Sequence, residues 1–253
     1  MAPRECKGPR LFVEELGQRG VSHLGAPFSL PKEASHYIKT VLRLPIGSAI
    51  ELADPATGES FIGTITSLAQ QVTVTISEKL DTPKRPGSIT LLCALCKGQK
   101  NELVCDWATE LGCARIIFWQ AERSIVRIRD SKDAAAKETK FANAALAAAQ
   151  QSRQPQPPRV HVALSLEDAL ALIPATSTGF NAYCSLEDGA PLLSTTTMSN
   201  EAYLVIGPEG DFTPKETERL RGAGFHPVSL GREVLRSELA VVTAVVTVKS
   251  AQA

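Results

Sequence analysis

The sequence predicts a two-part α/β protein: a small β-rich domain of the barrel kind, then a larger domain built on a parallel sheet. Three observations lead there. Residues 81–88, DTPKRPGS, set two prolines, a glycine and polar residues between apolar stretches, as a linker does. Before them the apolar runs are short and strand-like. After them such runs alternate with helical patterns, as in βαβ units. The expected boundaries are 1–82 for the first domain, 83–88 for the linker and 89–253 for the second domain.

In the first part, a helix is predicted from Lys32 to Leu42, where Pro31 suits the start and Ala34, Ile38, Val41 and Leu42 fall at helical spacing. Strands are predicted at Ser48–Ala53, Ser60–Ser67 and Gln71–Glu78, parted by Asp-Pro and Thr-Gly turns. In the second part the strand-like runs are Ile89–Leu95, Arg115–Trp119, Val160–Leu164, Phe180–Cys184, Tyr203–Ile206 and Pro227–Leu230. Val104, Trp107, Ala108 and Leu111 make a helical stripe closed by Gly112, and Lys132–Ser152 reads as an alanine-rich helix ended by Pro155. For 239–248, LAVVTAVVTV, β-branched residues favour a strand while the period fits a helix equally well.

At 253 residues and 43% hydrophobic, the chain can bury real cores. No run approaches the roughly 18 apolar residues of a membrane span, and MAPRECKGPRLF lacks the apolar centre of a signal peptide, so a cytoplasmic, membrane-free protein is expected. Six scattered cysteines are too few for a disulfide framework and read as reduced. Cys93-Ala-Leu-Cys96 could mean zinc or redox chemistry, but no second pair or nearby histidine completes a site, and no metal is expected. In a strand, positions three apart also point to opposite faces, so buried structural thiols are predicted.

Formal net charge is zero, yet lysine and arginine outnumber the acids 11 to 7 over residues 91–160 and trail them 6 to 11 over 161–253. Arg123, Arg127, Arg129, Lys132, Lys137 and Lys140 form either a phosphate-facing surface or an ordinary solvated helix face.

The richest segment is LVIGPEGDFTPKE, 204–216, a strand running into a glycine turn and then a helix start, with Thr213 as N-cap, Pro214 at N1 and Glu216 as the capping-box acid. Glycine turns at the carboxyl ends of parallel strands are where open α/β sheets bind ligands, and Gly207 and Gly210 leave the backbone open to approach. The spacing is neither a P-loop nor a dinucleotide fingerprint, and Glu209 would repel phosphate, so a neutral or cationic ligand fits better. Two further loops, SLEDG at 185–189 and LGREVLRSE at 230–238, could converge on the same sheet edge.

KGQK (97–100), ELG (110–112), ER (122–123), AAAQQSRQ (147–154), IGPEG (206–210) and LGREVLRSE (230–238) together resemble the bacterial 16S rRNA (uracil-N3)-methyltransferase family, in order and spacing along essentially the whole chain. IGPEG followed about twenty residues later by LG…LR.E is the specific part. The resemblance implies a SPOUT-class second domain with a deep trefoil knot, a PUA-like RNA-binding barrel in front of it, a homodimer, and S-adenosyl-L-methionine as cofactor. It implies methylation of N3 of one uridine near the decoding region of 16S rRNA in the small ribosomal subunit, and a helix after the LR.E loop. Leu186, Ile206, Gly207, Glu209, Gly210, Leu230, Gly231 and Leu235 map onto the cofactor loops. Arg236 and Glu238 map beside the transferred methyl, with Glu238 either taking a proton or holding the arginine. Lys97, Lys100, Arg123, Arg127 and Arg153 are the candidate RNA contacts. Asp211 where the family commonly has glycine, Gln150-Gln151 for Glu-Gln, and Leu239 for threonine depart from its pattern. Two other readings stay open: a non-catalytic RNA-binding protein, and a methyltransferase of the same fold acting on another RNA or atom.

Overall fold

The computed structural model describes residues 8–14, 16, 24–25, 27–81, 87–174 and 178–252. By spatial proximity the chain divides into one unit of residues 1–84 with 149–156 and a second of 85–148 with 157–253. Most of the expected linker falls outside the described residues.

In the first unit β1 (Arg10–Phe12), β2 (Pro27–Ser29), β3 (Ala49–Ala53), β4 (Ser60–Ser67) and β5 (Thr73–Leu80) form a sheet of order β1-β3-β4-β5-β2. The β3-β4-β5 meander follows from alternation: Ile50, Leu52, Phe61, Ile65, Val74 and Ile76 face one core with Leu11, Leu30 and Ile38, all buried. The Asp-Pro turn is held by the Asp54 carboxylate, which accepts the amides of Ala56 at 2.8 Å and Thr57 at 3.1 Å. The two three-residue strands escape sequence reading because three residues are too short to show a period. Helix α1 (Lys32–His36) occupies the first half of its predicted span, and Tyr37–Leu42 continues it in the wider π winding, ending at Arg43 in the left-handed region (φ 51°).

The second unit holds β6 (Ser88–Ala94), α2 (Lys100–Glu110), β7 (Arg115–Trp119), α3 (Ser131–Gln151), β8 (Arg159–Ala163), α4 (Leu166–Ala171), β9 (Phe180–Cys184), β10 (Glu201–Ile206), α5 (Pro214–Gly222), β11 (His226–Val228) and α6 (Ser237–Gln252). The six strands form one all-parallel sheet, β11-β9-β10-β6-β7-β8. Its central strands are buried on both faces, which is why they read as continuous apolar runs. Leu91, Cys93, Leu204 and Ile206 pack on one side with Val104 of α2, Phe141 of α3 and Val241 and Val245 of α6. Leu92, Ala94, Tyr203 and Val205 pack on the other with Leu166, Ala169 and Leu220.

That first layer decides the ambiguous tail. Ala240, Val241, Ala244, Val245 and Val248 are the buried positions of α6, a stripe that only a helix can present. Burying each valine contributes about 1.5 kcal/mol or more, against a helix-propensity cost of about 0.7 kcal/mol or less. Among the described residues no helix is long and apolar enough to cross a membrane, and no cluster of side chains suits a metal ion.

The two thiols are buried and free, as expected, but they do not lie on opposite faces. β6 ends at Ala94, the chain turns, and Cys96 swings back to join Cys93 in the same apolar cluster, both fully buried. Both thiols lie near the Ala94 carbonyl, at 3.5 and 3.4 Å. Hydrogen bonding to Cys96, with burial, pushes the Cys93 thiol well up, while the same bond brings Cys96 down.

Candidate cofactor pocket

β11, β9 and β10 are neighbours in the sheet, so the three loops leaving their carboxyl ends share one edge. Between them lies a cavity of about 250 Å³. The first loop is tied in by the Ser185 amide donating to Val228 O at 2.9 Å. The third is tied by the Ser229 amide donating to Pro191 O at 2.8 Å and the Gly231 amide to Ser229 Oγ at 3.2 Å. Gly231 has φ 139°, a conformation side chains rarely adopt, so glycine is required there by the backbone.

Leu186, Ile206, Gly207, Glu209, Leu230, Gly231 and Leu235 wall the cavity, together with Arg236 and Ser237. Gly210 lies behind the wall. A Cβ built on it would sit 3.1 Å from the Arg123 Cβ, and one on Gly207 3.0 Å from the Phe212 ring. Both glycines therefore make room for the protein's own side chains. Asp211 stands in the left-handed region (φ 61°), and its carboxylate accepts the Phe212 amide at 2.8 Å. Aspartate is among the few residues that tolerate this backbone, which accounts for its standing where glycine is common.

Three acids, Glu209, Asp211 and Glu233, line the cavity against a single cation, Arg236. Such a lining repels phosphate and suits a ligand carrying positive charge beside an apolar body. Burial pushes the Glu209 carboxyl up, but hydrogen bonds from backbone amides and Lys100 outweigh it and hold it below its ordinary range. No ion pair or hydrogen bond engages the exposed Arg236 guanidinium among the described residues, so it is presented to the cavity mouth.

Glu238 takes a different partner from the one expected. Its carboxylate lies 3.3 Å from Lys100 Nζ, at the first residue of α2, and not against Arg236. Three further candidate RNA contacts, Arg123, Arg127 and Arg153, are engaged within the molecule. Arg123 Nη1 donates to Gly210 O at 3.0 Å and Phe212 O at 3.2 Å. Arg127 donates to Glu122 O, and within the first unit Arg153 pairs with Glu51 at 2.8 Å. Arg129 and Lys137 pair with Asp133, and Lys140 with Glu102. Lys97 keeps an exposed side chain, while its amide donates to Glu209 at 3.3 Å. Sequence reasoning missed Lys100 and Arg123 as parts of the pocket's frame. Their partners lie 109 and 87 residues away, and only the spacing of KGQK and ER relative to IGPEG hinted at it.

Residues 83–249 match the RNA methyltransferase domain family. The ribosomal RNA small subunit methyltransferase E of Rickettsia conorii is 29% identical over 85% of this chain and 85% of its own. The Aquifex aeolicus protein of the same name is 32% identical over 70% of this chain and 74% of its own. The structure of the Neisseria gonorrhoeae protein of that name, bound to S-adenosyl methionine, superposes with a TM-score of 0.84 at 25% identity, covering 96% of this chain and 97% of that one.

Proposed function

The chain belongs to the ribosomal RNA small subunit methyltransferase E family, and from that membership we propose that it uses S-adenosylmethionine to methylate N3 of one uridine in 16S rRNA, near the decoding region of the small subunit. The observation that carries this reading is the cavity at the carboxyl edge of β9, β10 and β11, apolar and acid-lined, with an arginine at its mouth that has no partner among the described residues. S-adenosylmethionine carries a transferable methyl group on a positively charged sulfur. Leu186, Ile206, Leu230 and Leu235 would hold its apolar parts and exclude water, and Glu209 would favour its charge. Uridine N3 becomes nucleophilic when its proton leaves and negative charge spreads onto O2 and O4. Arg236, permanently charged and forked, is the group suited to stabilise that charge. Glu238 lies against Lys100 and not against Arg236, so its role is to shape the site.

The same reading supplies the coarser features. The parallel sheet with α6 laid against its central strands fits a SPOUT-class trefoil knot, and the five-stranded sheet of the first unit fits a PUA-like RNA-binding barrel. A homodimer acting in the cytoplasm on 16S rRNA of the small ribosomal subunit follows from it. The exposed apolar residues Leu239 and Val246 of α6 suit such a contact. Mass spectrometry of nucleosides from small-subunit rRNA incubated with protein and cofactor tests the proposal. N3-methyluridine is expected. Another methylated nucleoside would move the target, and none would leave an RNA-binding protein.

A further inference from the structure

Lys100 is the hinge of an ion triad that no assigned role explains. Its Nζ lies 3.2 Å from Glu209 Oε1 and 3.3 Å from Glu238 Oε2. Glu209 belongs to the loop after β10, Glu238 to the first turn of α6, directly after the loop that carries Arg236. The Glu238 Oε2 atom is buried and, among the described residues, has no hydrogen bond, so Lys100 is the counter-charge it has. A buried carboxylate left without a counter-charge is strongly disfavoured, so this pairing constrains where the first turn of α6 can lie. Lys100 is itself fixed. Asn101, next to it and buried, clamps the preceding turn by accepting the Cys96 amide at 2.9 Å and donating to Cys96 O at 2.8 Å.

We infer that Lys100 is a positioning residue that ties the two walls of the cofactor pocket together through Glu209 and Glu238, and so fixes the presentation of Arg236. The inference rests on the methyltransferase reading. It differs from a phosphate contact, the role its place in KGQK suggests, because two carboxylates already take its charge. Removing that charge leaves Glu209 and Glu238 facing each other, with the Cys93 and Cys96 thiols and, along the cavity wall, Asp211, Glu233 and Arg236 the titratable and charged groups around them. Two carboxylates so placed hold one proton more firmly than either would alone.

The test uses full-length K100M, K100Q and K100R, with circular dichroism checking the fold and K100Q keeping a donor without the charge. In K100M and K100Q, single-turnover methylation at saturating RNA is expected to slow on the order of tenfold or more. The acid limb of the rate profile should move to higher pH, and calorimetric S-adenosylmethionine binding should become linked to proton exchange. RNA affinity and its salt dependence should stay unchanged, and K100R should recover most of the rate. Weaker RNA binding with a salt slope reduced by about one, at an undiminished saturated rate, would make Lys100 a phosphate contact and overturn the inference. Unchanged rate, pH profile and proton linkage would also overturn it. Failure of the unaltered protein to bind S-adenosylmethionine would instead remove the reading beneath it.

Discussion

Gly210 shows how a single residue's role depends on which way its missing Cβ would point. A side chain there would press on Arg123, whose guanidinium holds the carbonyls of Gly210 and Phe212, so the loop and not the ligand takes the first strain. Gly210→Val should still weaken S-adenosylmethionine binding sharply in calorimetry, and replacing Arg123 by glycine in the same chain, which removes the Cβ it would meet, should recover part of the loss. Absence of any recovery would place the clash elsewhere. Arg236 is the opposite case, a charge with no partner among the described residues. Arg236→Ala should lose on the order of a hundredfold in methylation rate, the scale of one lost electrostatic donor, with little change in cofactor affinity. Raising pH should partly rescue it by ionising N3 without help, and a near-normal rate at neutral pH would remove Arg236 from the mechanism. Glu209 sets an acid limit. Its carboxyl is held low, so the interactions that favour its ionised form are fully present above the ordinary glutamate range and are lost as pH falls through the lowered value. Cofactor affinity should follow it down on the acid side, and Glu209→Gln should flatten that fall.

At the scale of elements, the start of α5 is the best-specified point in the molecule. Thr213 Oγ1 accepts the Glu216 amide at 3.3 Å, and Glu216 Oε2 accepts the Thr213 amide at 2.8 Å. The same carboxylate's Oε1 accepts the Glu122 amide at 2.8 Å, so the cap also pins the loop after β7 beside the loop after β10. Thr213→Ala should cost about 1 kcal/mol, seen as a melting temperature lower by about 2–4 °C. Glu216→Ala should cost more, because it removes the acceptor of two part-buried backbone donors at once. Equal losses in thermal melts would show that the Glu122 link carries no weight.

For the whole molecule, zero net charge leaves attraction to RNA to local clusters of cations, and in the middle third Lys100, Arg129, Lys137, Lys140 and Arg153 are already in ion pairs. Exposed pairs contribute little individually, so they can be exchanged for phosphates at small cost. RNA binding should therefore fall steeply with salt, in proportion to the phosphates neutralised, as filter binding on small-subunit rRNA would read. A salt-independent affinity would assign recognition to base contacts or shape instead.

Apolar runs, the Asp54 turn, the capping box and the glycine turn of IGPEG were legible because each depends on residues within about four positions of one another, where spacing alone fixes geometry. The tail at 239–248 was not, since its local preferences balance and only the sheet face it covers tips them toward helix. Nor were the partners of Lys100, Arg123 and Arg153. A long cationic side chain carries no local signal of where it will go. It takes whichever carboxylate or carbonyl the finished fold brings within reach, and here that choice turned three candidate RNA contacts inward. The sequence by itself determined which loops would meet; the tertiary structure decided which charges would hold them together.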